Sequence, residues 1–316
     1  VTFNKAEKNK LSKNKKIRSN IKMLKRYKKN NNYLIYHMDI SNNVLTMQTI
    51  QIAPIRNLYS ALKDLVPDVT MIIDKDGMKI INFDKNHTTL VAVKMKFEKH
   101  VCEPDKIVIC ANSLHLFKLI SSSSNDDLFS MYIDKDDYNE GSVSYLGLQY
   151  DNGKVQQCNN YKLRLFEPDE DELEVPEVNY SAIIHMPSAG FQKIIRDLTG
   201  LSDRLKIESV GDDLIFSCEG QFAKSRIFRT EQKSDNNLPL DDKMDAIKFR
   251  KKPSPSVVMS GEFPLKSLNN FIKCTPLSQN LEIYLENDLP LIVKYDIGSE
   301  MGDIKLCLSP LPPLRY

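Results

Sequence analysis

Glycine is scarce in this chain, and its scarcity argues against several classes of nucleotide-binding protein. Only 11 of the 316 residues are glycine, roughly half of the usual share of about 7%. Neither GxxxxGK[ST] nor GxGxxG occurs, and both motifs need glycine because the backbone must approach phosphate closely. We therefore expect no P-loop and no dinucleotide-binding loop.

Long apolar runs and paired cysteines are also lacking. Runs such as Leu90–Val93 and Val257–Met259 are far shorter than the roughly 18 residues of a membrane span, and the first 30 residues are too charged for a secretory signal. The six cysteines are scattered, with no CxxC pair, which gives no support for a disulfide framework or a zinc site. The sequence predicts a soluble protein of a reducing compartment, with no metal ion and no cofactor.

Charge is divided unevenly along the chain. Residues 1–43 contain 12 of the 44 Lys and Arg residues but only Glu7 and Asp39 as acids, which leaves 32 basic and 40 acidic residues for the rest. A basic arm on an acidic globule is typical of nucleic-acid binding or nuclear import. The alternative interpretation is a solvated Lys/Asn-rich tail that reflects codon bias.

The remaining sequence alternates short strands with a few helices. Apolar residues at helical spacing predict helices over 55–65, near 112–120, over 191–198 and over 264–273. Strands over 69–73 and 78–83 flank an Asp-Lys-Asp-Gly turn at 74–77, and strands over 205–209 and 214–218 repeat that arrangement. Two repeats of one β-rich unit are therefore predicted.

An acidic segment separates the two repeats. Residues 167–177 hold seven carboxylates and two prolines, a composition that opposes both helix and strand. The predicted organisation is a flexible basic extension over 1–43, a first domain over 44–166, a connecting loop over 167–177, a second domain over 178–310 and a tail over 311–316.

Basic side chains recur on the predicted helices, away from the apolar stripes. A lone Lys on an exposed helix face is usually only solvated, but recurrence on four helices of an acidic body indicates a phosphate-binding surface. Binding through phosphate would be independent of base sequence. The residues concerned are Arg56, Lys63, Lys118, Lys193, Arg196, Lys266 and Lys273.

Several segments resemble proliferating cell nuclear antigen, the eukaryotic and archaeal sliding clamp. The likeness runs in co-linear order from about Val44 to Pro310, and no single motif carries it alone. The segments are Ala61-Leu62-Lys63-Asp64-Leu65, Phe83-Asp84-Lys85-Asn86-His87, Arg196-Asp197-Leu198, Phe263-Pro264-Leu265-Lys266-Ser267-Leu268-Asn269 and Lys273-Cys274-Thr275-Pro276-Leu277-Ser278.

The resemblance implies an α+β DNA clamp fold, in which two similar β-rich domains with two short helices each form a continuous outer sheet around inner helices. It also implies a homotrimeric ring around double-stranded DNA, with the seven basic residues named above at channel positions. Two further basic positions of the family fall on Asn57 and Ser121. The first domain's share of the channel is therefore expected to be less cationic than usual.

Two further surfaces are implied by the resemblance. One is a pocket for client proteins with an aromatic-pair motif, namely DNA polymerase, a clamp loader and others, formed by Phe83, His87, Leu173, Val175, Pro176 and Pro290. Cys307 stands where the family has a pocket tyrosine. The other is the subunit interface, where one edge strand contributes Tyr161, Leu163 and Leu165 and another contributes Arg226, Ile227 and Phe228.

Rival interpretations remain open at this stage. Aspartates such as Asp74, Asp84 and Asp127 are candidates for a two-metal nuclease, but most lie in predicted turns, where Asp serves backbone hydrogen bonding. The chain is therefore not expected to be an enzyme. Two alternatives are closer: a monomeric processivity factor held on DNA by charge, and one subunit of a heterotrimeric clamp. The expected location is the nucleus, or a cytoplasmic replication site if the protein is viral.

Overall fold

The computed structural model describes residues 42–167, 178–231, 246–254 and 256–312. The arm up to residue 41 and the C-terminal residues 313–316 lie outside the described residues. So does most of the acidic segment, including the predicted pocket residues Leu173, Val175 and Pro176.

The first half of the chain is built mainly from strands, with two helices. A short 3-10 turn, Lys135–Asp137, follows its seventh strand. In chain order the elements are β1 (Asn43–Thr49), α1 (Ile52–Leu65), β2 (Asp68–Asp74), β3 (Gly77–Phe83), β4 (Thr89–Met95), β5 (Lys99–Cys102), β6 (Lys106–Asn112), α2 (Ser113–Ile120), β7 (Leu128–Asp134), β8 (Tyr138–Asn139), β9 (Ser142–Val143), β10 (Tyr145–Asn152) and β11 (Gln157–Arg164).

The second half repeats this order of strands and helices. Its second helix continues directly into a 3-10 helix, Ile272–Leu277. The elements are β12 (Ala182–Pro187), α3 (Ser188–Thr199), β13 (Arg204–Val210), β14 (Asp213–Glu219), β15 (Lys224–Thr230), β16 (Lys248–Lys251), β17 (Met259–Pro264), α4 (Leu265–Phe271), β18 (Asn280–Leu285), β19 (Leu291–Ile297) and β20 (Gly302–Leu308).

The two halves also repeat each other in strand order. A five-stranded sheet of the first half has the order β11-β10-β7-β1-β5, and the second half has the matching order β20-β19-β18-β12-β16. The order β4-β3-β2-β6 of the first half likewise matches the separate four-stranded sheet β15-β14-β13-β17 of the second. The predicted duplication of one β-rich, helix-poor unit is therefore confirmed.

One sheet crosses from the first half to the second. β20 pairs antiparallel with β4 from Gly302↔Met95 to Leu308↔Thr89. This junction joins four strands of the first half and five of the second into one nine-stranded sheet. The α+β clamp fold with a continuous sheet, expected from the sequence, agrees with this topology.

Helix α1 shows how the local sequence produces these helices. Its predicted apolar stripe is buried, with Ile55, Leu58 and Leu62 fully inaccessible. Pro54 lies in the first turn, where its missing N–H costs no intrahelical hydrogen bond. The helix ends at Val66, which has extended backbone angles because a residue that precedes proline avoids the helical region.

Several boundaries differ from the sequence-based expectations. β1 begins at Asn43, the last residue of the predicted extension, and this residue is only 4% exposed. Lys273, predicted on the fourth helix, lies instead in the following 3-10 helix. Six strands were not predicted: β1, β5, β8, β12, β16 and β17. The predicted hairpin at 74–77 is confirmed, since Asp74 Oδ1 accepts hydrogen bonds from the N–H groups of Asp76 and Gly77.

Candidate nucleic-acid interface and partner surfaces

The four helices form one layer that spans both halves. α2 and α1 are joined where the Ser113 hydroxyl donates to the Val66 carbonyl, 2.6 Å away. α1 contacts the 3-10 helix of the second half through Asn57 Nδ2, which donates to the Pro276 carbonyl at 3.1 Å. Gln192 of α3 donates in turn to the Ile272 carbonyl at 3.4 Å. The helices therefore lie side by side, with their apolar stripes against the sheets.

In the second half, three of the four predicted basic residues are exposed and have no partner among the described residues. Lys193 and Arg196 on α3 and Lys266 on α4 all project to solvent. None of the three forms a hydrogen bond or ion pair with any residue in the described ranges. Their charges are therefore available to an external anion.

In the first half, two of the three predicted helix cations are engaged within the protein. Arg56 Nη1 donates to the Ser123 carbonyl at 2.6 Å, and its Nη2 donates to Asn125. Lys63 Nζ lies 4.9 Å from the centre of the Phe117 ring, and its side chain is 23% exposed. Lys118 is exposed. The first half thus offers fewer free cations than the second.

One carboxylate lies among the helix cations. Asp64 Oδ1 is 3.2 Å from Lys63 Nζ, and its Oδ2 is 3.3 Å from Lys273 Nζ. The ion pair with Lys273 joins the two halves across the helical layer. Because all three side chains are partly exposed, water screens these attractions and their contribution to stability is small.

On the opposite face of the nine-stranded sheet, apolar side chains form a row across six neighbouring strands. The register pairs each member with the next, and each alternates along its strand with a residue in the core. All but Cys307 are half-buried. This apolar row consists of Phe83, Leu90, Cys307, Ile292, Tyr284 and Ile183.

Three predicted pocket residues lie at or beside the apolar row. Phe83 belongs to it, and the His87 ring lies 5.4 Å from the Phe83 ring. Pro290 precedes β19, and its carbonyl accepts a hydrogen bond from the Tyr180 hydroxyl at 2.9 Å. Burial raises the pKa of the Tyr180 hydroxyl to about 12 and that of the Cys307 thiol to about 11. Both groups are therefore neutral near pH 7, which suits an apolar partner.

The predicted interface strands are both at sheet edges. β11 pairs only with β10, and β15 pairs only with β14, among the strands of the described ranges. Tyr161, Leu163 and Ile227 are half-buried, and Phe228 is 53% exposed. Arg226 lies over the Phe228 ring, 4.9 Å from its centre. Two edges that carry apolar side chains are thus left open among the described strands.

Leu165 does not fit its predicted place in the interface. It lies beyond the end of β11, is 8% exposed, and packs in the core of its own subunit. Its N–H donates to the Ser144 carbonyl at 3.0 Å. Its side chain is therefore not available to a neighbouring subunit.

The aspartates considered for metal binding serve local structure. Asp84 Oδ1 accepts from the N–H groups of Thr88 and Thr89, and Asp127 Oδ2 accepts from the N–H of Ser124. Within the described ranges, no three His, Cys, Asp or Glu residues are grouped so as to hold a metal ion. In the same part of the chain, no helix is both long and apolar enough to cross a membrane.

Several surface residues beside the predicted pocket were not predicted from the sequence, because they come together only through the pairing of strands from both halves. They are Leu90, Ile292, Tyr284 and Ile183. The alternation within β19, where Ile292 lies between buried Leu291 and Val293, was the one local signal that Ile292 faces outward.

Comparison with known proteins agrees with this architecture. The N-terminal domain of proliferating cell nuclear antigen matches residues 44–172, and its C-terminal domain matches residues 174–311. A protein of Paramecium bursaria Chlorella virus 1, described as probable DNA polymerase sliding clamp 1, is 29% identical over 283 residues, which are 87% of this chain and 99% of the viral protein. With both domain matches in order along one continuous sheet, the chain belongs to the proliferating cell nuclear antigen family of DNA sliding clamps.

Proposed function

We propose that three copies of this clamp close into a ring around duplex DNA and tether a DNA polymerase to it. One observation carries the proposal: β20 and β4 pair within the chain, whereas their counterparts β11 and β15 each keep an edge that no other described strand pairs with. Pairing β11 of one copy with β15 of the next repeats the internal junction between copies. Such head-to-tail contacts generate a closed ring when the rotation closes.

The chemistry of the two edges supports their pairing. Open strand edges normally invite uncontrolled association, and ring closure removes them. Tyr161 and Leu163 on β11, and Ile227 on β15, point to the same side as the cores of their sheets because they pair with buried residues. Joining the strands would extend both cores across the boundary. We propose these three residues, with Arg226 and Phe228, as the subunit interface.

The proposed DNA contacts are the basic residues of the helical layer. In the ring, the helices would lie inside the continuous sheet and face the duplex. Contacts of Lys and Arg with phosphate carry no base information, so a clamp of this type binds any sequence. A closed ring stays on DNA because it encircles the duplex, so tight phosphate contacts are not needed. Weak contacts then favour sliding of the ring along the DNA.

The apolar row is the proposed docking surface for client proteins. An exposed apolar strip on a protein surface usually marks an interaction site. The predicted residues Phe83, His87 and Pro290 lie along it, and a client with an aromatic-pair motif would insert its rings there. DNA polymerase and the clamp loader are the proposed clients, in keeping with the description of the viral relative.

The remaining assignments follow from this function. Members of this family act as processivity factors without catalysis, and we propose no enzymatic activity, metal or cofactor here. Domain boundaries near 44–166 and 178–310, joined by the acidic connecting loop, agree with the repeated strand order. We propose a site of DNA replication as the location, either nuclear or viral.

Binding to linear duplex with free or blocked ends tests the ring. A closed ring threads over free ends without a loader, so we expect binding to free-ended duplex and loss of binding when both ends are blocked beforehand. Blocks added after binding should trap the clamp. Equal binding to free and pre-blocked duplex would contradict encirclement.

A monomer held by charge is the second candidate, since residues 1–43 carry a net charge of +10. Deletion of residues 1–41 separates the two functions while it keeps β1 intact. The ring should still require free DNA ends, and a charge-held monomer should lose most of its affinity. A heterotrimer is favoured by one further feature: Arg164 on β11 and Arg226 on β15 place a positive charge on each edge, whereas Lys162 is already paired with Asp134 and Asp137.

A further inference from the structure

We propose that a row of charged residues beside the apolar row selects client peptides that carry acidic residues next to their aromatic pair. The inference rests on the proposed client surface and specifies the chemistry that this surface prefers. It concerns the outer face of the second half, well away from the helical layer.

The charged row runs parallel to the apolar row on the same face of the sheet. Four members lie two residues along their strands from a member of the apolar row, which is about 7 Å at 3.3 Å per residue, and the fifth, Lys248 on β16, pairs in register with His185. The strand register pairs each with its neighbour across five successive strands. The members are Lys305, Lys294, Glu282, His185 and Lys248.

The single carboxylate of this row, Glu282, already has hydrogen-bond donors and cations on both of its oxygens. Glu282 is 7% exposed and accepts hydrogen bonds from Arg250 Nη1 and from the Tyr284 hydroxyl, both at 2.5 Å. Lys294 Nζ lies 3.6 Å from it, and His185 Nε2 lies 2.8 Å from it. Lys294 Nζ also lies 3.6 Å from Asp296 Oδ1. The four cations Lys305, Lys294, Lys248 and Arg250 still outnumber the two carboxylates Glu282 and Asp296, so this surface keeps a positive excess.

Two lysines at the ends of the row have no internal partner. Lys248 is exposed and Lys305 is half-buried, and neither forms a hydrogen bond or ion pair within the part of the chain that the structure describes. Lys251 adds a further charge at the end of the apolar row, where it pairs in register with Ile183 and donates a hydrogen bond to the Tyr180 carbonyl at 2.6 Å, which does not neutralise it. A peptide on the apolar row therefore passes unneutralised cations on this side.

The other side of the apolar row carries less positive charge. Two residues further along the strands in that direction lie Thr88, Pro290, Glu286 and Ser309, and Lys85, beyond Phe83, is the one cation among these described positions. Glu286 is already occupied by the N–H of Ser181, 2.7 Å from its Oε2. The surface is therefore polarised, and acidic residues of a bound peptide should lie on the Lys248–Lys305 side. Like charges placed there would be repelled, which gives specificity.

The acidic connecting loop of the same chain is the alternative occupant. Residues 167–177 carry seven carboxylates, and the described residues on either side of the loop end at Glu167 and resume at Val178. If this loop neutralised the charged row, client peptides would meet no positive surface. The experiment below includes this case as an outcome.

The test measures binding of three labelled peptides to the full chain by fluorescence anisotropy at 0.15 M salt. All three share one aromatic-pair core, and their flanks are acidic, neutral or basic. We expect the acidic peptide to bind roughly 5- to 20-fold more tightly than the basic one, because a few partly screened contacts act over about one Debye length of 8 Å.

A double variant, Lys248→Glu with Lys305→Glu, assigns the preference to the row. It should remove the advantage of the acidic flank and change the affinity for the neutral peptide less than about twofold. Lys94→Glu with Lys154→Glu is the matched control, with the same change of charge at exposed sites outside the row; it should keep the preference.

The outcomes separate the inference from the proposed function. Absence of binding by all three peptides would contradict the client surface itself. Binding of all three with equal affinity would overturn the acidic preference alone. A preference that emerges only after the acids of 167–177 are replaced by Gln or Asn would assign the row to the connecting loop and also overturn the inference.

Discussion

The two halves of the helical layer have nearly the same pattern of basic residues but use them differently. In the second half, Lys193, Arg196 and Lys266 project to solvent without partners in the described ranges. In the first half, Arg56 holds the segment after α2, and Lys63 lies against Phe117 and Asp64.

A basic residue at a channel position therefore need not be a DNA contact. A guanidinium that already donates to a carbonyl and an amide must break those bonds before it reaches a phosphate, whereas an exposed lysine loses only water and side-chain freedom. The second half should therefore supply most of the phosphate contacts, and the first half should use its cations for internal structure.

Neutralising the free cations of the second half should have the largest effect. The variant Lys193→Gln, Arg196→Gln, Lys266→Gln should bind duplex roughly 30-fold more weakly at 0.1 M salt. The slope of log K against log salt should fall by about 2.7, at roughly 0.9 for each lost phosphate contact. Titration of labelled duplex at several salt concentrations measures both.

The matched change in the first half should have a much smaller effect on DNA. Arg56→Gln, Lys63→Gln, Lys118→Gln removes the same charge, but only Lys118 is unengaged, so a loss of about 3-fold, roughly one phosphate contact, is expected. Similar losses for the two triple variants would remove the distinction between the halves.

The second half has its own buried ionic centre, at Glu282 on the outer sheet. Burial opposes its ionisation, but hydrogen bonds from Tyr284 and Arg250, with the nearby charges of Lys294 and His185, outweigh burial and lower its pKa. Glu282→Gln should reduce the free energy of unfolding at pH 7 by about 2 kcal/mol.

The pH dependence gives the sign of this effect. A lowered folded-state pKa stabilises the protein above the unfolded pKa of about 4.3, and the stabilisation is lost as pH falls through the folded value. The gap between wild type and Glu282→Gln should therefore close below about pH 4 in urea titrations. A gap independent of pH would mean that the carboxylate charge is not the cause.

Removing the Arg56 guanidinium should affect stability more than DNA binding. Arg56→Ala leaves the Ser123 carbonyl and the Asn125 side chain without this donor, and about 1 kcal/mol of stability should be lost. Lys193→Ala, on the exposed face of α3, is the control and should change stability by less than about 0.5 kcal/mol. Thermal unfolding of both variants compares them directly.

Removing the carboxylate that pairs with Lys63 and Lys273 should have the smallest effect on DNA binding, and it should raise the affinity instead of lowering it. Asp64→Asn removes the carboxylate that attracts Lys63 and Lys273, so affinity for duplex should rise about 2- to 3-fold. Ser60→Asn, on the same helix, controls for the substitution itself. Weaker DNA binding by Asp64→Asn would mean that Asp64 is needed to hold the two lysines in place.

Local sequence patterns predicted much of this molecule. The apolar stripes of α1 and α3 and the hairpin at 74–77 depend on neighbouring residues, and all three are confirmed. The division of the chain into two similar halves was predicted from their internal similarity and from the family resemblance.

Features that depend on distant contacts were not predicted. The bonds of Arg56 to Ser123 and Asn125 join residues almost seventy positions apart, so no local pattern distinguished Arg56 from Lys193. The family resemblance placed Leu165 within an edge strand over 161–166, but β11 ends one residue before it. The charged row required the register of five strands.

The subunit count in solution tests the ring most directly. Native mass spectrometry or light scattering at micromolar concentration should give about three times the subunit mass of 36.3 kDa, and Ile227→Asp on the open β15 edge should reduce it to one subunit. A mass of one subunit for the wild-type chain, unchanged over a hundredfold range of concentration, would contradict closure of three copies through β11 and β15.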